Sequence, residues 1–449
     1  MAYIGNTPQQ QQEMLASLGL ESVDELFACI PPAARLERLP QVLPALTEQE
    51  LTEHLSSLAA RNRVGREAVC FLGGGSYDHF IPAVVDAIAS RSEFYTAYTP
   101  YQAEASQGSL QAFFEYQTLI CQLTGMEVAN ASLYEGGSAL AEAAMMALSV
   151  TGRYGRILMA ESVHPHYRQT VRSYLAHLEP ELVTLPTPQG FLDPDRLNAA
   201  LTEDTAAVLV QHPNFFGHLE EVEELAERTH RQGALFVVSV DPISLGLLRR
   251  PGDYGADIVV AEGQALGIPM QFGGPYLGIL ACRQAYVRKM PGRLVGQTLD
   301  RHAQRCWVLT LQTREQHIRR EKATSNICTN QGLMALRAAV YLAALGPQGL
   351  RETAELCLRK AHYLAERLCA VPGVRLAFDR PFFKEFTLLL PAEPQRVLQR
   401  LLQCGYLGGL WLGRWYPDLR QAVSLAVTET RRREEIDGLV SAYREAMQG

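Results

Sequence analysis

A chain of 449 residues is too long for one compact core and is expected to divide into two or more domains. With 47% hydrophobic and 20% charged residues it has the balance of an ordinary globular enzyme; a net charge of -7, with no basic run interleaved with aromatics, argues against nucleic acid as the main partner. No apolar stretch reaches ~18 residues, so no membrane span is expected, and MAYIGNTPQQQQEM lacks the basic and apolar regions of a signal peptide. The nine cysteines include no CxxC pair. Most are expected to be small buried hydrophobes in a reducing cytoplasm, with neither a metal site nor a disulfide framework.

Residues 1–70 are expected to form an N-terminal helical arm. Pro31-Pro32 interrupts it; Thr47 and Glu50 then make a capping box ahead of Leu51, His54, Leu55 and Leu58 at helical spacing. Over 71–330 apolar runs alternate with amphipathic segments. Strands are expected at Ile157–Met159, Leu182–Leu185, Ala207–Gln211, Leu235–Val240, Ile258–Val260 and Gly278–Ala281. Helices are expected at Ser109–Thr124, Ser138–Ser149, Tyr167–Leu178, Pro194–Leu201 and Leu219–Gln232. That alternation predicts a large α/β domain with a mostly parallel central sheet covered on both faces. A helix at Gln331–Leu345 leads into a smaller α+β C-terminal domain, 331–449. Its strands are expected at Val374–Phe378, Phe386–Leu390 and Ala422–Ala426, and its last helix at Arg433–Met447.

Several motifs carry chemistry-bearing residues. Phe71 to His79, FLGGGSYDH, is a tight glycine-driven turn that does not have the GxGxxG spacing of a dinucleotide loop. Phe94 to Gln102 has neither helical nor alternating periodicity. Its Tyr95, Tyr98 and Tyr101 suit an irregular loop whose phenols bind an anion, or an aromatic plug at a subunit interface. Gly136, Gly137 and Ser138 open a helix, where backbone N–H groups and the helix dipole favour an anion. Glu135 puts a carboxylate into the same turn and would repel a phosphate; the turn also reads as a plain helix start or a vestigial cradle. His164, in a strand-to-helix loop, could stack on a cofactor ring or be structural. Asp241 follows the buried run FVVSV and could pair with a pyridinium nitrogen or simply form a turn before Pro242. Near 314–329 a charged helix ends in Ser325, Asn326 and Thr329, donors suited to an anion at a subunit boundary.

The run Asp257 to Gly278 is informative for what it lacks. In pyridoxal-phosphate enzymes of the aspartate-aminotransferase type such a run ends at the lysine that anchors the cofactor. The matching position is Gln264, whose amide nitrogen is not nucleophilic. The chain holds four lysines: Lys289 in a charged loop, Lys322 as the better alternative anchor, and Lys360 and Lys384 in the C-terminal domain. No amine is expected where this scaffold could tether an aldehyde.

FLGGGSYDHFIP, YTAYTPYQAEASQG, SLYEGGSALAEAA, EGQALGIPMQFGGPYLG and REKATSNICT together resemble the glycine cleavage system P-protein, in particular the first (alpha) subunit of the split form. The likeness runs through nearly the whole chain. It implies the pyridoxal-phosphate-dependent transferase fold type I. It also implies a subunit of glycine dehydrogenase (aminomethyl-transferring), which decarboxylates glycine and passes the aminomethyl group to the lipoyl arm of H-protein. The second subunit then carries the Schiff-base lysine and the pyridoxal phosphate, in an α2β2 assembly. Gly136, Gly137, Ser138, His164, Asp241 and Gln264 become a vestigial cofactor site. Tyr95, Tyr98, Tyr101, Ser325, Asn326 and Thr329 become groups lent to the partner's active site, and Tyr77 and His79 a lipoyl entrance. Two rival readings are a self-sufficient enzyme using Lys322 or Lys289, and a purely structural partner subunit.

Overall fold

The computed structural model describes residues 5–36, 44–62, 68–271 and 273–448; the first four residues, parts of the arm and Phe272 of the 262–278 motif lie outside them. The described residues form two compact units, the arm and everything from 68 onward. In the arm, Thr7 with Gln10 and Thr47 with Glu50 make reciprocal capping boxes for helices Pro8–Ser17 and Glu48–Ala59. The glutamine run thus lies inside a helix. Neither helix buries a residue.

The body is built on a seven-stranded sheet. Its order is Val128–Ala129, Gly278–Cys282, Ile258–Glu262, Leu235–Val240, Thr205–His212, Arg156–Ala160, Glu181–Leu185. Five strands run parallel, and Gly278–Cys282 is antiparallel to both neighbours. Leu235–Val240 is buried at every position, as a strand covered on both faces must be. The six strands expected over 71–330 all form, each within two residues of its expected ends. Helix Gly136–Thr151 packs beneath the sheet with Gly136 through Ala144 continuously buried; its small side chains allow that close approach. It ends at Gly152, whose φ of 66° supplies the left-handed terminating conformation.

Two differences from expectation are informative. The helix expected at Gln331–Leu345 continues to Cys369, but it breaks at Gly346 (φ 62°) ahead of Pro347, so the expected end is a kink between two helices. Gly332–Cys369 is long and apolar enough for a membrane span by length and composition alone. Its buried Arg337, bonded to Asp86 and the Gly267 carbonyl, marks it as a core helix instead. The antiparallel hairpin Leu294–Leu299 with Arg305–Thr310 was not foreseen.

Beyond the long helix lies a four-stranded antiparallel sheet ordered Arg375–Leu376, Glu385–Leu389, Ala422–Ala426, Leu410–Trp411. It packs its Phe386, Leu388, Val423 and Leu425 against Ile436, Leu439 and Tyr443 of helix Arg433–Gln448. The segment leading into Glu385–Leu389 docks on the loop after strand Thr205–His212, through a bridge between His218 and Phe382 and a bond from Phe383 N–H to the Gly217 carbonyl. That docking brings the small sheet to the carboxyl ends of the large one.

Candidate functional site

In open α/β sheets ligands bind beyond the carboxyl ends of the strands. Here Asp241 follows Leu235–Val240, and Glu262 ends Ile258–Glu262 with Gln264 two residues on. Around them the 71–79 turn, His164 and Tyr167 close a cavity of only ≈ 20 Å³, enough for about one water.

Gln264 is buried and fully engaged. Its Oε1 accepts the Tyr77 N–H at 2.8 Å, and its Nε2 donates to the carbonyls of Tyr77 (3.0 Å) and Ile268 (2.8 Å). It fastens the glycine turn to the sheet. Gly74 and Gly75 in that turn have φ of 77° and 98°, which favours glycine there.

Asp241 has a cation. The Lys384 ammonium lies 2.8 Å from its Oδ2, 1% exposed, 3.5 Å from the centre of the Tyr77 ring and 3.0 Å from His79 Nε2. The fold carries Lys384 in just ahead of strand Glu385–Leu389, and its ammonium is spent on the Asp241 carboxylate. Lys289 and Lys322, the alternative anchors, are exposed and line no part of this cavity. With Lys384 donating to Nε2, His79 carries its proton on Nδ1 and donates to Glu429 at 2.6 Å. Burial first, then the Lys384 charge, lowers the His79 pKa. Glu429 is held down to about 2: burial opposes this, but the His79 and Phe80 hydrogen bonds outweigh it. His79, Glu429 and Cys357 could together ligate a cation. The neighbouring ammonium and a thiol whose pKa is raised by burial make the cluster a hydrogen-bond network instead. Tyr77 and His79 are thus buried in this network.

The helix-start cradle is also filled. Glu135 accepts the N–H groups of Gly137 (2.5 Å) and Ser138 (2.8 Å) and the Ser138 hydroxyl, while Gly136 N–H donates to Glu262 Oε2 at 2.9 Å. Glu262 Oε1 takes two further N–H donors, from Gln264 and Leu277, yet burial pushes its pKa up to about 8. His164 donates from Nε2 to the Gly74 carbonyl (2.7 Å) and accepts at Nδ1 from His166 N–H (3.1 Å). That leaves it neutral, its pKa pushed down to about 4 chiefly by burial. Its ring stacks on Tyr167 at 4.5 Å and 22°. A Cβ on Gly136 would lie 2.5 Å from the Tyr167 hydroxyl, so that hydroxyl sits against the cradle. The residues present do not fit pyridoxal phosphate: each place for it is taken by the chain's own side chains.

The groups expected to be lent lie elsewhere, and several converge. Tyr98 and Thr329 line one cavity of ≈ 320 Å³, with Phe113, Asn330 and Gln331. Tyr101 lies 5.4 Å from the guanidinium of buried Arg293, which donates to Asn330 Oδ1 (2.7 Å) and the Cys328 carbonyl (3.1 Å). Ser325 accepts the Ile327 N–H and hydrogen-bonds Glu142, whose pKa burial raises to about 7. Tyr95 and Asn326 are exposed.

Sequence reasoning missed Lys384, Glu262, Tyr167, Glu385 and Arg293. A signal existed for two: Lys384 sits between phenylalanines in PFFKEF, and Glu262 ends the apolar run IVVAE, places where a charge must find a partner.

Sheet order and strand-end geometry define a pyridoxal-phosphate fold type I scaffold, and two distant structures share it. They are a sphingosine-1-phosphate lyase from Burkholderia pseudomallei (TM-score 0.67, 16% identity, 93% of this chain and 95% of that one) and an alanine–glyoxylate aminotransferase from Nostoc sp. (TM-score 0.59, 17% identity, 93% and 99%). Residues 1–443 match the family model of the glycine cleavage system P-protein, and the chain belongs to that family. A crystal structure of glycine decarboxylase (P-protein) of the glycine cleavage system, in inhibitor-bound form, is similar at TM-score 0.91 and 46% identity, covering 99% of this chain and 100% of that one. Proteins from Desulfitobacterium hafniense and Carboxydothermus hydrogenoformans, both named "Probable glycine dehydrogenase (decarboxylating) subunit 1", are 50% and 54% identical; the first match covers 99% of this chain and 100% of the relative, the second 98% of each.

Proposed function

We propose that this chain is the cofactor-free subunit of a split glycine decarboxylase and works only with a lysine-bearing second subunit, as α2β2. The observation that carries the reading is the strand-end site, with Gln264 at the anchor position and a residual cavity of ≈ 20 Å³. Pyridoxal phosphate, held by the partner, supplies the electron sink for loss of carbon dioxide from glycine. This chain contributes Tyr95, Tyr98, Tyr101, Ser325, Asn326 and Thr329 to the partner's site, from which the aminomethyl group passes to the lipoyl arm of H-protein. The shared cavity of Tyr98 and Thr329, and the Arg293 clamp behind the Cys328–Asn330 backbone, support that role.

The test is glycine decarboxylation and pyridoxal-phosphate content for the purified chain, for its partner and for the complex. Activity confined to the complex, with the cofactor on the partner, is expected. Decarboxylation by this chain alone, or borohydride fixation of the cofactor to it, would end the reading.

A further inference from the structure

We propose that the strand-end site is occupied by an internal replacement for the cofactor: Lys384 for its cationic end, Tyr167 for its ring and the Glu135–Glu262 pair for its anionic end. The inference rests on the reading of this chain as the cofactor-free subunit and says how its own site is kept closed.

A site that recognises a pyridoxal-phosphate-type molecule offers a carboxylate to the ring nitrogen, a flat surface to the ring face and backbone N–H groups to the phosphate. This chain keeps all three receivers. Asp241 is the carboxylate, with its side chain 10% exposed. Losing a ligand there would leave a nearly buried charge without a partner, a costly state. The Lys384 ammonium fills that need, and its contacts to Asp241 Oδ2, His79 Nε2 and the Tyr77 ring face leave it well satisfied. His164 is the flat surface, and Tyr167 lies nearly parallel to it. The N–H groups of Gly136, Gly137 and Ser138 are the anion receiver, and all three donate to carboxylates. A cation has taken the place of a cation, a ring that of a ring, and acid groups that of an anion.

The replacement also ties layers together. Lys384 and Glu385 come from the start of an inner strand of the small sheet, while Asp241 and Glu262 stand at the carboxyl ends of strands of the large sheet. Glu385 accepts the Tyr77 hydroxyl at 2.8 Å and the Gly74 N–H at 2.7 Å, closing the glycine turn over the pair. Burial raises Glu385 to about 7, so near neutrality the enclosed acids carry less than their full formal charge beside the single ammonium.

The test uses the full-length chain without its partner. The probe is pyridoxamine 5′-phosphate, which has no aldehyde to react with surface lysines. By titration calorimetry the wild type should show no saturable binding, while Lys384→Met/Tyr167→Ala should bind at least about tenfold more tightly. Saturable binding by the wild type, or a folded double variant that binds no better than wild type, overturns the proposal. Where the double variant does not fold, reductive methylation of the wild type followed by mass spectrometry decides. Lys289 and Lys322 should label while Lys384 stays unmodified, and rapid labelling of Lys384 in the native chain overturns the plug. Failure of the complex to decarboxylate glycine would sink the functional reading and leave these binding results standing.

Discussion

Lys384 and Asp241 belong to different sheets and meet at 2.8 Å, with side-chain exposures of 1% and 10%. Removing one member of such a pair strands the other charge. Lys384→Met should therefore destabilise the chain by about 3 kcal/mol, whereas Lys384→Met/Asp241→Asn should recover much of that loss. Urea denaturation of the two singles and the double measures it. Equal and additive losses would show that the pair is not coupled.

Gln264 spends its amide on the 71–79 turn and on Ile268, making three hydrogen bonds. Gln264→Ala leaves buried Tyr77 backbone groups unpaired and should cost about 1–3 kcal/mol. Hydrogen exchange at the Tyr77 amide should accelerate more than exchange in strand Leu235–Val240. The complementary change, Gln264→Lys, restores an amine and leaves Lys384, Tyr167 and Glu135 in place. Borohydride treatment with pyridoxal phosphate should still add no mass at position 264, and a stoichiometric adduct there would show that the site has room.

The raised acids give stability a direction with pH. Glu262 at about 8 and Glu385 at about 7 hold their protons more tightly folded than unfolded. Their contribution is complete below the ordinary carboxylate range and is lost as pH climbs through those values. Glu429, held at about 2, contributes in the opposite sense, and its contribution is lost as pH falls from the ordinary carboxylate range toward that value. The melting temperature should therefore fall between about pH 4.5 and pH 8, and Glu262→Gln should flatten that fall. Parallel profiles for wild type and variant would remove Glu262 as the cause.

The parallel sheet was legible because buried strands announce themselves as apolar runs, and IVVAE and FVVSV form strands at the expected places. Gln264 and Asp241 were legible for the same reason, since each sits just past such a run. Lys384 was not, because its meeting with Asp241 depends on how the small sheet docks, and no local period encodes that. The 294–310 hairpin escaped because its strands are partly exposed and their alternation is weak. Glu135 was read as an obstacle to a phosphate at the helix start. The structure adds that it takes up the donors the phosphate would use.

The surface expected to serve the partner can be separated from the chain's own stability. Tyr98 is 90% exposed, so Tyr98→Ala should change the stability of the isolated chain by less than about 0.5 kcal/mol. Thr329→Ala, beside the same cavity, removes one half-buried hydroxyl and should also leave the fold intact. In the complex both should lower glycine decarboxylation by about tenfold or more, the loss expected when a positioned donor is removed from a site of charge development. Arg293→Met works one step back. It frees the Cys328 carbonyl and Asn330, so it should shift the Thr329 segment and lower turnover without touching substrate. Steady-state assays of the complex at saturating partner separate weakened assembly from weakened catalysis. If all three variants kept full turnover at saturation, the 325–329 segment and the tyrosine loop would serve assembly alone.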